Sequence, residues 1–169
     1  MNLTYFREAM NVKRFHTESL IREDTIGHHS ANVAGIIMYL YYPEIPSGNL
    51  LAAALCHDVA ERTTGDTPAS AKWLSRPLKD ALLRMETGVH EKNEIHFPDY
   101  VLSNDELNML KFADGVELGL KCMHERDMGN STVEHIIPRI GTHVTEVLEN
   151  QPLDSRFRRK AEALLETLK

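Results

Sequence analysis

Apolar residues recur along this chain at intervals of three and four, the spacing that lines one face of an α-helix. The run from Val33 to Leu40 shows this spacing, and Val133, Ile137 and Ile140 show it again near the C-terminus. No stretch alternates apolar and polar residues in the way of a half-buried strand. The pattern therefore predicts an all-α protein, a helical bundle around one core that forms a single domain over residues 1–169.

Prolines, glycines and capping residues mark the ends of the predicted helices. Ser103, followed by Glu106, has the signature of a helix start, and Pro43 disfavours helical geometry at Tyr42. The segment from Gly88 to Asp99 has mixed polarity and is predicted to be a loop or a broken helix. The predicted helices run from Leu3 to about Val12, from about His28 to Tyr42, from about Leu50 to Thr64, from Pro77 through Met85, from Ser103 to about Arg126, from Val133 through Val147 and from Asp154 to Leu168, with a further start at Thr67-Pro68.

The composition excludes several classes of function. The chain carries 19 basic and 25 acidic residues, and its net charge of −6 does not favour binding to a nucleic-acid polymer. No apolar run approaches the roughly 20 residues that cross a bilayer, and the first residues lack the pattern of a signal peptide. Two cysteines do not make a disulfide framework. We expect a cytoplasmic protein without a membrane partner.

The segment from Ala52 to Asp66 places ionisable side chains at the end of an apolar helix. His57, Asp58 and Glu61 fall on its predicted last turn and a half, and Glu61 faces the same side as the other two. Charged groups at the end of a buried helix are costly unless something neutralises them, which a metal ion commonly does. The segment therefore indicates the floor of a site.

Two further residues extend this candidate site. Asp114 interrupts an apolar stripe on a later helix, and His29 opens a helix whose following turns are almost entirely apolar. With His57 and Asp58 they offer two imidazoles and two carboxylates from three helices. Such a mixed nitrogen and oxygen set suits a divalent ion such as Mn, Co, Fe, Zn or Ni.

Spacing alone leaves other interpretations open. A His-Asp dipeptide is common by chance, and a structural role explains it as well. Asp114 could pair with a buried arginine or lysine instead of a metal ion, and either His28 or His29 could face inward. Trp73 is expected either to line a pocket or to pack in the core. The other histidines, at positions 90, 96, 124, 135 and 143, are expected at the surface or partly buried.

The order His29, then His57-Asp58, then Asp114 resembles the HD-domain metal-dependent phosphohydrolase superfamily, which is named after the His-Asp pair. Alignment with the family's residue pattern implies that His29, rather than its neighbour His28, is the metal ligand. The resemblance covers most of the chain, from about residue 14 to residue 130.

A closer resemblance comes from the residues around this set. The segment Thr64-Gly65-Asp66-x-Pro68 is its most specific element, with Arg14-Phe15 and Glu18 before it and Lys72 after it. This layout resembles the bacterial 5'-deoxyribonucleotidases and the short, phage-encoded dATP triphosphohydrolases.

The resemblance implies a role for each matching residue. Glu61 would orient or deprotonate a water whose pKa the metal lowers, so that hydroxide attacks phosphorus. Arg14 and Lys72 would hold substrate phosphates, Phe15 would stack on the base, and Asp66 would bind the sugar 3'-hydroxyl near the phosphate ester. A divalent ion, with Co, Mn, Zn, Fe and Mg as candidates, would be held by His29, His57, Asp58 and Asp114.

The implied activity is hydrolysis of a small deoxynucleotide at the α-phosphorus. The short chain favours a triphosphohydrolase that prefers dATP and releases the deoxynucleoside and triphosphate; the alternative is a 5'-deoxynucleotidase that releases phosphate from dNMPs. Phe15 and Ser70 stand where many relatives carry tryptophan and proline, which motivates an alternative of another class, a non-catalytic nucleotide-binding HD module. A helical interaction protein with coincidental histidines is the third alternative. The resemblance also implies a homo-oligomer, with the apolar C-terminal helices as its interface.

Overall fold

This computed structural model describes residues 1–95, 102–150 and 154–168, apart from the side chains of Trp73 and Asn150. Within these ranges the backbone is helical and contains no strand beyond an isolated bridge between Lys13 and Thr25. The predicted all-α class is therefore confirmed. The helices are α1 (Leu3–Ala9), α2 (Ile26–Tyr41), α3 (Gly48–Cys56), α4 (Glu61–Thr64), α5 (Ala69–Leu74), α6 (Arg76–Lys92), α7 (Asn104–Asp127), α8 (Ile137–Asn150) and α9 (Ser155–Thr167), with a 3₁₀ turn at Ser131–Val133.

Side-chain caps fix the start of the helices that carry the site. Thr25 accepts a hydrogen bond from the His28 N–H at the start of α2, and Ser47 accepts one from the Leu50 N–H at the start of α3. Ser103 and Glu106 form the predicted capping box at the start of α7. Each such cap is worth about 1 kcal/mol.

The long helix predicted to run through Glu61 is interrupted. α3 ends at Cys56, His57 is its C-terminal cap, and α4 starts only at Glu61. Between them the backbone forms tighter, three-residue hydrogen bonds, from the Val59 N–H to the Cys56 carbonyl and from the Glu61 N–H to the Asp58 carbonyl. The prediction of one continuous helix is therefore wrong, and a turn carries the His-Asp pair.

Two other predicted boundaries are wrong. α1 stops at Ala9 rather than near Val12, because the following backbone accepts hydrogen bonds from the first two residues of α2. The Gly27 N–H donates to the Met10 carbonyl and the Ile26 N–H to the Val12 carbonyl, each at 3.0 Å. At the other end of the chain, α8 begins at Ile137 instead of Val133.

In the segment after Gly88, for which a loop or a broken helix was predicted, the described part is a helix that ends. Residues 88–92 continue α6 to its end at Lys92, where the Asn93 N–H still donates to the Val89 carbonyl. Residues 93–95 leave the helix, and the rest of that predicted segment, with His96, lies outside the described residues. The Trp73 side chain lies outside them as well.

The core joins α2, α3, α7 and α8 around Phe112, with Ile37, Leu50 and Ile140 buried beside it. Gly115 lets α7 and α8 approach closely, since a Cβ atom there would lie 2.8 Å from Cγ2 of Val144. Over the described residues, no helix is both long and apolar enough to cross a membrane. The packing of α2 and α3 against α7 brings together the three parts of the chain that carry the candidate site.

Candidate metal centre and adjoining cavity

Three of the predicted ligands converge on one point. His29 comes from α2, His57 from the end of α3 and Asp114 from the middle of α7, and their ligand atoms all lie within 4.8 Å of one another. His29 Nε2 is 3.2 Å from His57 Nε2 and 3.0 Å from Asp114 Oδ1, and the latter carboxylate is half-exposed rather than buried. Two imidazole nitrogens and a carboxylate oxygen in this arrangement match the donor set of a first-row divalent ion.

Asp58, the fourth predicted ligand, lies beside this cluster and faces Arg14. Its Oδ2 is 3.5 Å from His29 Nε2 and 3.4 Å from His57 Nε2, and it accepts a 2.5 Å hydrogen bond from Arg14 Nη1. Burial opposes its charge, but His57 and Arg14 outweigh burial and hold the pKa of Asp58 below its ordinary value. The residue predicted to bind phosphate is therefore paired with a predicted ligand.

Glu117 is a residue of the site that the sequence interpretation missed. It is 4% exposed, and its Oε2 accepts a 2.5 Å hydrogen bond from Nδ1 of His29 while its Oε1 accepts one from Asn32. Because the carboxylate can only accept here, Nδ1 of His29 carries the proton and Nε2 is turned toward the cluster. The available signal was spacing, since Glu117 lies one helical turn beyond Asp114.

The two imidazoles are oriented in a similar way. His57 donates from Nδ1 to the Ala54 carbonyl at 2.9 Å, which leaves its Nε2 facing the cluster. Burial and the charge of Arg14 lower the pKa of His29, but hydrogen bonds to Asp114 and Glu117 outweigh them and raise it to about 10. Because both Nδ1 atoms are held by hydrogen bonds, both rings turn Nε2, through which they would bind a metal ion, to the same space.

Glu61 is buried and incompletely paired. It is 4% exposed, and its Oε2 has no hydrogen-bond partner among the described residues. Its Oε1 lies 3.6 Å from Lys72 Nζ. Burial, followed by repulsion from Asp58 and Asp66, raises the pKa of Glu61 to about 9 against the attraction of Arg14 and Lys72. A buried oxygen without a partner requires one, and water or a ligand can supply it.

A cavity of about 790 Å³ opens beside the centre, and the side chains of Glu61, Asp66, Lys72 and Phe15 border it. The Phe15 backbone has a φ of 55°, a left-handed conformation that is costly for an aromatic residue. Asp66 stabilises it, because Asp66 Oδ2 accepts a 2.8 Å hydrogen bond from the Phe15 N–H. Leu118 adds apolar surface to the same cavity.

Several cavity residues had no predicted role. Two of them are histidines that were expected at the surface or partly buried, and three are cations. The histidines are exposed as predicted, yet they line the cavity as well. These five residues are His135, His143, Arg76, Lys79 and Arg139.

The loop that carries Arg14 is fastened to α7 by Glu125, a second carboxylate that the sequence interpretation missed. Glu125 is 0% exposed and accepts hydrogen bonds from the backbone N–H groups of Ile21 and Arg22, from Asn130 and from Lys121. Burial opposes its charge, but the hydrogen bonds outweigh burial and lower the pKa of Glu125 to about 2.

Comparison with known proteins shows a family and agrees with the fold. A family model described as 5'-deoxynucleotidase YfbR-like matches residues 2–160. A 5'-deoxynucleotidase from Citrobacter koseri is 23% identical over 130 residues, which span 66% of this chain and 65% of that enzyme. This chain thus covers slightly less than two thirds of its curated relative.

Two solved structures share the fold. One is the HD phosphohydrolase DatZ of cyanophage S-2L, bound to dA and one catalytic Zn²⁺ ion. It matches with a TM-score of 0.70 at 19% sequence identity, and the match covers 99% of this chain and 96% of the DatZ chain. A protein from Pyrococcus horikoshii OT3 has a TM-score of 0.71 at 20% identity and covers 99% and 98%.

Proposed function

Because the chain belongs to the YfbR-like family of HD-domain phosphohydrolases, we propose that it hydrolyses deoxynucleotides at the α-phosphorus. We propose dNTPs, and dATP above all, as the preferred substrates, with the deoxynucleoside and inorganic triphosphate as products. The observation that carries this proposal is the convergence of His29, His57 and Asp114 beside a cavity that Glu61 lines, with Glu61 Oε2 buried and without a hydrogen-bond partner among the described residues.

His29, His57 and Asp114 would hold a divalent ion, with Asp58 beside them as the fourth ligand. The donor chemistry fits such an ion, since both imidazoles present Nε2 and the carboxylates supply oxygen. When bound, a divalent ion polarises a phosphoryl oxygen and lowers the pKa of water. Zinc is the ion found in the cyanophage protein, and Co, Mn, Fe and Mg remain candidates for this chain.

Glu61 would accept the proton of the attacking water at Oε2. That atom is buried and lacks a partner among the described residues. Burial raises the pKa of Glu61, and the positive charge of a divalent ion in the centre would favour the ionised carboxylate that accepts a proton. Lys72, 3.6 Å from the other oxygen, would balance the charge of Glu61 and contact a phosphate oxygen.

Arg14 and Asp66 would orient the substrate. Arg14 Nη1 is fixed by Asp58 and its buried Nε lies 3.9 Å from Asp24 Oδ2, so the guanidinium would use its remaining N–H groups to contact a phosphate oxygen. Asp66 uses Oδ2 to hold the Phe15 backbone, which leaves Oδ1 for a 3'-hydroxyl. Phe15 would stack on the base, although without the N–H donor of a tryptophan.

A second candidate activity is the release of orthophosphate from dNMPs. The description of the family model and the activity of the Citrobacter relative favour it. The same residues serve both reactions, because both break a bond at the α-phosphorus. The preference for a triphosphate is supported by the cavity of about 790 Å³, near the upper end of the usual range for ligand pockets.

Product analysis tests the proposal. Metal-loaded protein is incubated with dATP, dGTP and dAMP, and the products are separated. Inorganic triphosphate from a dNTP supports the preferred activity, and orthophosphate from dAMP supports the second. Absence of hydrolysis with Mn, Co, Zn and Mg would contradict both, and tight binding without product would favour a non-catalytic module.

We also propose that the chain forms a homo-oligomer, as the family resemblance implies. Light scattering on the purified protein measures its mass directly. A mass of 19.2 kDa, that of one chain, at micromolar concentration would contradict this proposal.

A further inference from the structure

We propose that Arg76 and Lys79 of α6 bind the outer phosphates of a polyphosphate tail and thereby select nucleoside triphosphates over monophosphates. This inference rests on the proposed function, since it places the tail in the cavity beside the same centre. It assigns a role to two cations that neither the metal centre nor the proposed chemistry uses.

The cations that line the cavity differ in whether they have an acidic partner. Toward the centre, each cation has an acidic partner: Arg14 lies 2.5 Å from Asp58, and Lys72 lies 3.6 Å from Glu61. Those two cations are therefore partly compensated before any ligand arrives.

Arg76 and Lys79 differ from the inner cations. Both line the cavity and are exposed, and neither forms an ion pair with any residue in the described part of the chain. They lie three positions apart on α6, so their side chains leave the same side of the helix. Together they present two positive charges at the cavity wall that lack an ion-pair partner among the described residues.

A triphosphate would bring more negative charge to this wall than a monophosphate. A monophosphate offers one phosphate, which the proposed chemistry places at the centre near Arg14 and Lys72. A triphosphate carries two more phosphates, each with negative charge and strong acceptor oxygens. Arg76 and Lys79, which form no ion pair among the described residues, could contact these additional phosphates, whereas a monophosphate would leave them unused.

Asp80 also faces the proposed site of the polyphosphate tail, and its replacement should have the opposite effect on binding. It lies next to Lys79, is exposed and also lines the cavity. Its negative charge opposes a polyphosphate on the same wall, so that removal of this charge should strengthen binding of the tail. A gain of binding cannot be explained by damage to the fold.

The test is calorimetric titration of the metal-loaded protein with inorganic triphosphate and, separately, with orthophosphate. The double variant Arg76→Gln/Lys79→Gln should weaken triphosphate binding about tenfold, through the loss of two charge-assisted contacts, and should weaken orthophosphate binding far less. Asp80→Asn should strengthen triphosphate binding about twofold. Arg84→Gln, an exposed arginine of α6 that does not line the cavity, is the matched control and should bind as the wild type does.

Each outcome is decisive. Unchanged triphosphate binding in the double variant, equal weakening for both anions, or an equal loss in Arg84→Gln would overturn the inference. A protein that binds triphosphate through these residues but hydrolyses no nucleotide would refute the proposed function and leave the tail site standing. A protein that hydrolyses dAMP and does not bind triphosphate would refute the tail site alone.

Discussion

Replacement of Glu117 should weaken metal binding although Glu117 is not itself a proposed ligand. Its carboxylate holds the proton on Nδ1 of His29 through a 2.5 Å hydrogen bond and thereby fixes the orientation of Nε2. In Glu117→Gln the amide oxygen still accepts this bond but carries no charge, and charge-assisted hydrogen bonds are about twice as strong as neutral ones. In Glu117→Ala the bond is lost, and His29 and Asn32 both lose a buried partner.

The expected loss follows from the magnitude known for such supporting contacts, which is 10- to 100-fold in metal affinity. Glu117→Gln should fall near the lower limit, about 1.4 kcal/mol, and Glu117→Ala near the upper limit, about 2.7 kcal/mol. Competition for Zn²⁺ against a chromophoric chelator measures this affinity directly. Far-UV circular dichroism checks that each variant is folded.

The matched control is Glu146→Gln, an exposed glutamate of α8 that lies outside the centre, and its metal affinity should equal that of the wild type. The reasoning about Glu117 would be refuted if Glu117→Gln and Glu117→Ala both bound Zn²⁺ within twofold of the wild type. An equal loss in Glu146→Gln would refute it as well.

Three further variants probe the fold and the ligand set. Glu125→Gln removes two of four hydrogen bonds to a buried carboxylate and should lower the free energy of unfolding by about 2–3 kcal/mol at pH 7. Because the pKa of Glu125 is lowered from 4.5 to about 2, this difference is fully present above about pH 4.5 and disappears as the pH falls toward 2. Urea unfolding at pH 7 and pH 3, with exposed Glu134→Gln as control, measures it, and equal stability of wild type and Glu125→Gln at pH 7 would contradict the account. His57→Ala and Asp58→Ala should each abolish metal binding, and metal analysis that finds a full equivalent in either variant would remove that residue from the ligand set.

Much of the fold follows from local sequence signals. Helical spacing of apolar residues and the Ser103–Glu106 capping box locate α7 to within a residue or two, since these signals act over one or two turns. The interruption at His57 was not predictable in this way. No proline or glycine marks it, and the tighter turn is visible only in the backbone hydrogen bonds from Val59 and Glu61.

In the candidate site, too, some residues could be identified from the sequence and others only from tertiary contacts. Its proposed ligands could be identified because His29, the His-Asp pair and Asp114 stand in a family order and interrupt apolar segments. Glu117 and Arg76 could not, because a glutamate or an arginine on a helix is usually solvated, and only the packing of the helices shows what it contacts. The pairing of Arg14 with Asp58 is likewise a tertiary contact that spans 44 positions of sequence.

The central claim is that a metal held by the His-Asp cluster and a proton acceptor at Glu61 together hydrolyse a deoxynucleotide. The most direct measurement compares wild type and Glu61→Ala, each analysed for bound metal and each assayed for release of deoxyadenosine from dATP. The account predicts an equal metal content in both proteins and loss of turnover in Glu61→Ala. Full activity in Glu61→Ala with its metal in place would contradict it.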